Sequence, residues 1–142
     1  VFGCDLCLEV CPYASFARRG SPEDPDLKVH PALERYGLLG LLMLSDEEWQ
    51  RDWTGIAMRR ARREGLRRNA ALALGNRRQE DAVPELTRCL DEEDAGLRTA
   101  AAWSLARLET GRGPIESARS RESDPYLRND LEQSLDDLGC GA

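Results

Sequence analysis

Cys4, Cys7, Cys11 and Pro12 spell C-x2-C-x3-C-P, a spacing of thiols that suits metal chemistry. It is the later part of the run C-x2-C-x2-C-x3-C-P that holds iron–sulfur cubes, with one cysteine step missing. In such runs a C-x2-C turn puts two thiolates on one cube. The cysteine before proline ligates a neighbouring cube. A 4Fe–4S cube takes four cysteines, so three thiols demand ligands from elsewhere. The same C-x2-C is also a zinc hook. Zinc needs a fourth donor, and the nearest histidine, His30, lies 19 residues beyond Cys11. On spacing alone cluster ligation, zinc and unligated thiols all stand, with the cluster favoured. A clustered trio is poor disulfide geometry, and five cysteines leave one unpaired, so a reducing compartment is expected. Cys89 falls on an apolar helix position and reads as core; Cys140 lies in a Gly-rich tail and reads as a free thiol.

The second candidate chemistry is phosphate recognition. Arg59, Arg60, Arg62, Arg63, Arg67 and Arg68 put six guanidiniums in ten residues. Arginine forks match phosphate oxygens. On one continuous helix Arg59, Arg63 and Arg67 would align at i, i+4 and i+8 as a ridge. Glu64 is the only carboxylate close to it in sequence, so the ridge is expected to remain unpaired. No aromatic is interleaved among these arginines, so contact with the backbone rather than base stacking is indicated. Asn69 can add a polar contact. Asn76, after Gly75, reads equally as a helix stop. The competing possibility is a solvated face paired with acidic neighbours.

The overall charge hides this segment. The 142 residues carry a net −6. Residues 51–78 alone hold nine arginines against Asp52 and Glu64, a net +7 between acidic flanks. The hydrophobic fraction of 41% is enough for a core and argues against a wholly disordered chain. The longest apolar run, Leu38 to Leu44, is interrupted by Gly40 and is too short for a membrane span. The first residue is Val1, and no signal-like segment follows it. There is no P-loop, dinucleotide fingerprint or nucleophile–base pair. His30, before Pro31, reads as a loop residue, and Trp49, Trp53 and Trp103 read as core.

Helices must position these groups. Residues 1–30 contain Gly3, Pro12, Gly20, Pro22 and Pro25 and no sustained helical period. From about residue 31 the pattern is helical to the end. Ser45-Asp46-Glu47-Glu48 reads as a capping box, followed by Trp49 and Trp53 one turn apart. No alternating β-branched stretch suggests a strand. Three segments repeat: LRRNAALAL at 66–74, LRTAAAWSL at 97–105 and LRNDLEQSL at 127–135, offset by 31 and 30 residues. Shorter helical segments, 82–90 and 114–121, precede the second and third copies. A period near thirty with two helices per unit is an α-solenoid signature. Asp130 and Glu132 make the third copy polar, as a cap should be. The predicted fold is mostly α. A ferredoxin-like iron–sulfur loop segment spans 1–30, and HEAT-like helical repeats fill 31–142, at about 55–76, 81–109 and 113–138.

The order of FGCDLCLEVCPYA (2–14), LSDEEWQRDWTGIAMRRARREGLRRNAALALGN (44–76) and DAVPELTRCL (81–90) resembles the C-terminal part of the epoxyqueuosine reductase family. The resemblance covers roughly residues 2–110. It implies an oxidoreductase that converts epoxyqueuosine to queuosine at the wobble position of certain tRNAs, with two 4Fe–4S clusters and cobalamin. It implies that Cys4 and Cys7 serve one cluster and Cys11 the other. It also implies that the helical part contacts the anticodon stem–loop of tRNA, through Arg59, Arg60, Arg62, Arg63, Arg67, Arg68 and Asn69. A reducing electron donor, a cytoplasmic location, a monomer and no membrane contact go with it. The upstream cysteines and the N-terminal cobalamin- and substrate-binding region have no counterpart here, so no catalytic residue is assigned and the chain alone is expected to be inactive. The alternative function is a HEAT-repeat scaffold or protein-binding module with a zinc-binding or vestigial cysteine motif.

Overall fold

Among the described residues of the computed structural model, every regular element is helical. The structure describes Val10, Pro12 and residues 30–108 and 110–139. The expectations for Cys4, Cys7, Cys11, Cys140 and the ferredoxin-like segment lie outside the described residues.

Three short helices come first: α1 (Pro31–Arg35), α2 (Leu38–Leu42) and α3 (Asp46–Asp52). His30 caps α1, its Nδ1 accepting from the Ala32 amide at 3.2 Å. The capping box opens α3 as its sequence demands: the Ser45 hydroxyl accepts from the Glu48 amide at 3.2 Å, and the Glu48 carboxylate accepts from the Ser45 amide at 3.0 Å. Each end satisfies an amide that the helix itself leaves orphaned. Trp49 and Trp53 stack with ring centroids 5.8 Å apart, and Tyr36 closes the cluster at 6.0 Å from Trp53.

A 3-10 turn (Ala57–Ala61) leads into α4 (Arg62–Asn76). A second 3-10 turn (Glu80–Ala82) precedes α5 (Val83–Cys89), and α6 (Ala95–Leu105), α7 (Arg112–Arg121) and α8 (Pro125–Gly139) complete the chain. The long helices α4, α6 and α8 carry the three sequence copies. Their matching leucines are buried: Leu66, Leu74, Leu97, Leu105 and Leu135 in the shared core, and Leu127 at the start of α8 outside that cluster. Ala70, Ala71, Ala100, Ala101 and Ala102 are buried, and α4 and α6 approach closely where Gly75 meets Ser104. The Ser104 hydroxyl sits there within 2.8 Å of the Ala71 carbonyl.

The repeated arginine does mechanical work between units. Arg67, on α4, pairs with Glu92 in the turn before α6. Arg98, one repeat later on α6, pairs with Glu122 in the turn before α8 at 3.4 Å and donates to the Glu92 carbonyl at 2.6 Å. Arg128, the third in the series, is exposed. The strut is written by the repeat: the same arginine crosses to the same glutamate-bearing turn of the following unit.

Candidate nucleic-acid interface

The arginine segment does not form one ridge. Arg59 lies in the 3-10 turn and Arg63 and Arg67 on α4, with a break at Arg62 between them. Arg62 takes φ 59°, a left-handed value in which a Cβ is crowded; such strain costs about 1–3 kcal/mol and concentrates at functional sites. The chain turns there, so the helical phase on which i, i+4, i+8 alignment depends is lost.

Nor do the three arginines stay unpaired. Arg67 is 4% exposed. Its Nε donates to the Leu42 carbonyl at 2.7 Å and its Nη2 to Glu92. Arg63 donates from Nε to the Leu44 carbonyl at 2.9 Å and lies near Asp46 and Glu64. Both tie α4 to the α2–α3 segment. Arg59 donates to the Thr54 hydroxyl at 3.1 Å and to Gln50 Oε1 at 2.9 Å, with its guanidinium 5.6 Å from the Trp49 ring centre. Counting carboxylates near in sequence missed Asp46 and Glu92, and no carboxylate count finds the Leu42 and Leu44 carbonyls. Chain folding brings all four in.

Arg60, Arg62 and Arg68 remain exposed and have no ion-pair or hydrogen-bond partner among the described residues. Arg62 lines an open groove together with Arg59, Arg63, Gln50 and Trp49 and the carboxylates of Asp46 and Glu64. Asn69 is half-buried on α4 beside Arg68. The surface therefore divides into arginines that hold the fold, Arg63 and Arg67, and arginines that face solvent with free forks. Only the second kind can meet phosphate without dismantling the first.

Among the described residues no group of three His, Cys, Asp or Glu side chains could hold a metal ion. Cys89 is no fourth ligand for a cube: it is fully buried in the core, and burial pushes its thiol up to about 11. Thiolate, the ligating and nucleophilic form, is suppressed there. In the native chain at pH 8, mass mapping after brief iodoacetamide treatment should find the Cys89 peptide unmodified, with full labelling in denaturant. Native labelling at the rate of a free thiol would show that this part of the core opens readily.

A family model described as HEAT repeats matches residues 52–136, more than half of the chain. The chain belongs to the HEAT-repeat family. Its HEAT repeats sit within a longer likeness. An epoxyqueuosine reductase of Staphylococcus aureus (strain NCTC 8325 / PS 47) is 29% identical over 140 residues, covering 96% of this chain and 36% of the relative. One from Xanthomonas campestris pv. campestris is 32% identical over 108 residues, covering 75% of this chain and 30% of the relative. A crystal structure of epoxyqueuosine reductase with a tRNA-Tyr epoxyqueuosine-modified stem–loop superposes with a TM-score of 0.78 at 25% identity, covering 97% of this chain and 37% of that one. The chain thus spans about a third of the length of the relatives it matches, and the resemblance read from its motifs to epoxyqueuosine reductase holds across nearly all of it. No described helix is long and apolar enough to cross a membrane.

Proposed function

We propose that this chain is the RNA-gripping part of an epoxyqueuosine reductase, an oxidoreductase that converts epoxyqueuosine to queuosine in tRNA. Likeness along 96% of the chain supports the family. The observation that carries RNA contact is the set of free guanidiniums: Arg60 on the 3-10 turn, and Arg62 and Arg68 on the helix that Arg63 and Arg67 brace from below.

In this proposal the helical repeats contribute binding and placement rather than bond-making. Guanidiniums neutralise phosphates of the anticodon stem–loop and release condensed counterions, which fixes where the RNA lies without reading its bases. The struts keep α4 from yielding when the RNA loads it. The redox groups of the whole enzyme would be two 4Fe–4S clusters and cobalamin, fed by an external electron donor. Cys4, Cys7 and Cys11 offer three thiolates, one short of a four-cysteine cube, and the described core holds no fourth, so any cube drawing on them takes further ligands from outside these residues. The full enzyme works as a cytoplasmic monomer in this proposal.

The test is salt-dependent binding. Each phosphate contact contributes about 0.7–0.9 to the slope of log affinity against log salt. Arg60→Gln, Arg62→Gln and Arg68→Gln combined should lower that slope by about 2 for a labelled anticodon stem–loop, with the circular dichroism spectrum and melting curve retained. Unchanged slope and affinity in the triple variant would overturn the RNA assignment.

A further inference from the structure

A second pair of arginines, Arg35 and Arg51, gathers at the N-terminal side of the arginine-rich 59–68 run. Arg35 ends α1 and Arg51 lies near the end of α3. Both are anchored on Asp52: Arg35 Nη1 donates to it at 2.9 Å, and Arg51 donates twice, from Nε at 2.9 Å and Nη2 at 3.0 Å. The Tyr36 hydroxyl adds a fourth bond at 2.6 Å. These bonds draw the carboxyl of Asp52 far below the usual carboxylate range, the Arg51 fork contributing most.

The arrangement is layered. The Asp52 side chain is 13% exposed, while those of Arg35 and Arg51 are 63% and 60% exposed. The acid lies underneath, its Oδ2 accepting three bonds and its Oδ1 one, and the arginines stand above it. Nε and Nη2 of Arg35 have no partner among the described residues, while the Arg51 fork serves Asp52 and also interacts with the Tyr36 hydroxyl. Arg35, Arg51, Asp52 and Thr54 line an open cleft together with His30. Because His30 Nδ1 accepts the Ala32 amide proton, the neutral ring carries its own proton on Nε2 and offers one more donor. Two guanidiniums meet on the Asp52 carboxylate, with the Glu48 carboxylate also interacting with Arg51, and the free guanidinium edge of Arg35 is a donor. That is the chemistry of an oxyanion site with two pre-positioned forks.

The cleft is joined to the basic segment. Thr54, on its wall, donates to the Gln50 carbonyl and accepts from Arg59, and Arg59 in turn borders the groove of Arg62 and Arg63. We propose that the α1–α3 cleft is a second phosphate subsite, in which Arg35, Arg51 and His30 hold a phosphodiester of the same RNA that Arg60, Arg62 and Arg68 contact. This rests on the RNA function proposed above. A continuous strip from Arg35 through Arg59 to Arg62 suits a polymer of phosphates better than an isolated anion.

The experiment is fluorescence anisotropy of a labelled anticodon stem–loop over a salt series, with Arg35→Gln, Arg51→Gln and their combination in the full chain. Arg35→Gln leaves Arg51 and Tyr36 on Asp52, so it tests the cleft even if Arg51→Gln loosens α3. The double variant should lower the log–log slope by about 0.7–0.9, the share of one phosphate, and each single variant by part of that, while the melting temperature of Arg35→Gln stays put. Wild-type binding by Arg35→Gln and the double, with loss in the Arg60/Arg62/Arg68 variant, would overturn the cleft and leave the proposed function intact. No loss in any variant would overturn both. Loss of inorganic phosphate binding without loss of RNA affinity would make the cleft a free-anion site and refute the proposal as well.

Discussion

Arg67→Ala should cost about 3 kcal/mol of stability, a fall of roughly 10 °C in the thermal midpoint, while Arg68→Ala at the next position should stay within about 0.5 kcal/mol of wild type. Two adjacent arginines in one basic run thus have opposite fates. Arg67 is 4% exposed and holds the Leu42 carbonyl at 2.7 Å and the Glu92 carboxylate. Alanine strips the carbonyl of its donor in the core and leaves Glu92 without its cation. Breaking a buried pair by removing one partner costs about 3–5 kcal/mol, and the partial exposure of Glu92 places the expectation at the lower end. Arg68 has no such partner among the described residues. Melts followed by circular dichroism decide it, and equal midpoints for the two variants would refute the strut. The pH dependence carries a sign. The hydrogen bond from Arg67 draws the Glu92 carboxyl below its ordinary value. A group depressed in the fold contributes stability above its unfolded pKa, about 4.3 for glutamate, and loses it as pH falls through the folded value. The gap between wild type and Arg67→Ala should therefore narrow in acid.

The same pair shows what the sequence could and could not reveal. The density of arginine in 59–68 and its net charge were plain, and so was the helical repeat, because local spacing carries both. The capping box at Ser45 and the apolar register of Leu66, Leu97 and Leu127 needed no tertiary information either. Which arginine is free was not legible, because that depends on groups 25 residues away in either direction: the Leu42 carbonyl and Glu92 for Arg67. A left-handed residue at Arg62 also breaks a phase that the letters alone present as continuous. One local signal was available. Arg67 and Arg98 hold the same place in successive copies, next to buried leucines, and a charged residue repeated beside a core position is more apt to brace a repeat than to face a ligand. The Arg35–Asp52–Arg51 cluster had no such signal, since its members come from two helices separated by the turn around Leu44.

Gly75 yields to the same logic and sets the second large expectation. In sequence, Asn76 after Gly75 reads equally as a helix stop. In the fold α4 runs through both residues, and Arg78 with φ 50° takes the left-handed position beyond its end. Gly75 is there for contact. A Cβ on it would lie 2.7 Å from Ser104 Cα, 2.8 Å from Ser104 Cβ and 2.9 Å from Ser104 Oγ, all closer than carbon tolerates. Gly75→Ala must push α4 and α6 apart, and that stretches the bond from Ser104 to the Ala71 carbonyl as well. Overpacking of this kind costs about 1–3 kcal/mol, and loss of a buried hydrogen bond adds about 1 kcal/mol, so a total near 3 kcal/mol is expected in urea titrations. The gain in helix propensity from glycine to alanine, about 1 kcal/mol, offsets only part. A second substitution separates close approach from a general dislike of change. Ser104→Gly in the Gly75→Ala background removes the Cβ and Oγ clashes but not the one with Ser104 Cα, so it should restore less than half of the loss. Full recovery would mean that the side chain alone set the spacing. No loss in Gly75→Ala at all would mean that α4 and α6 do not pack at the distance their alanines and this glycine permit.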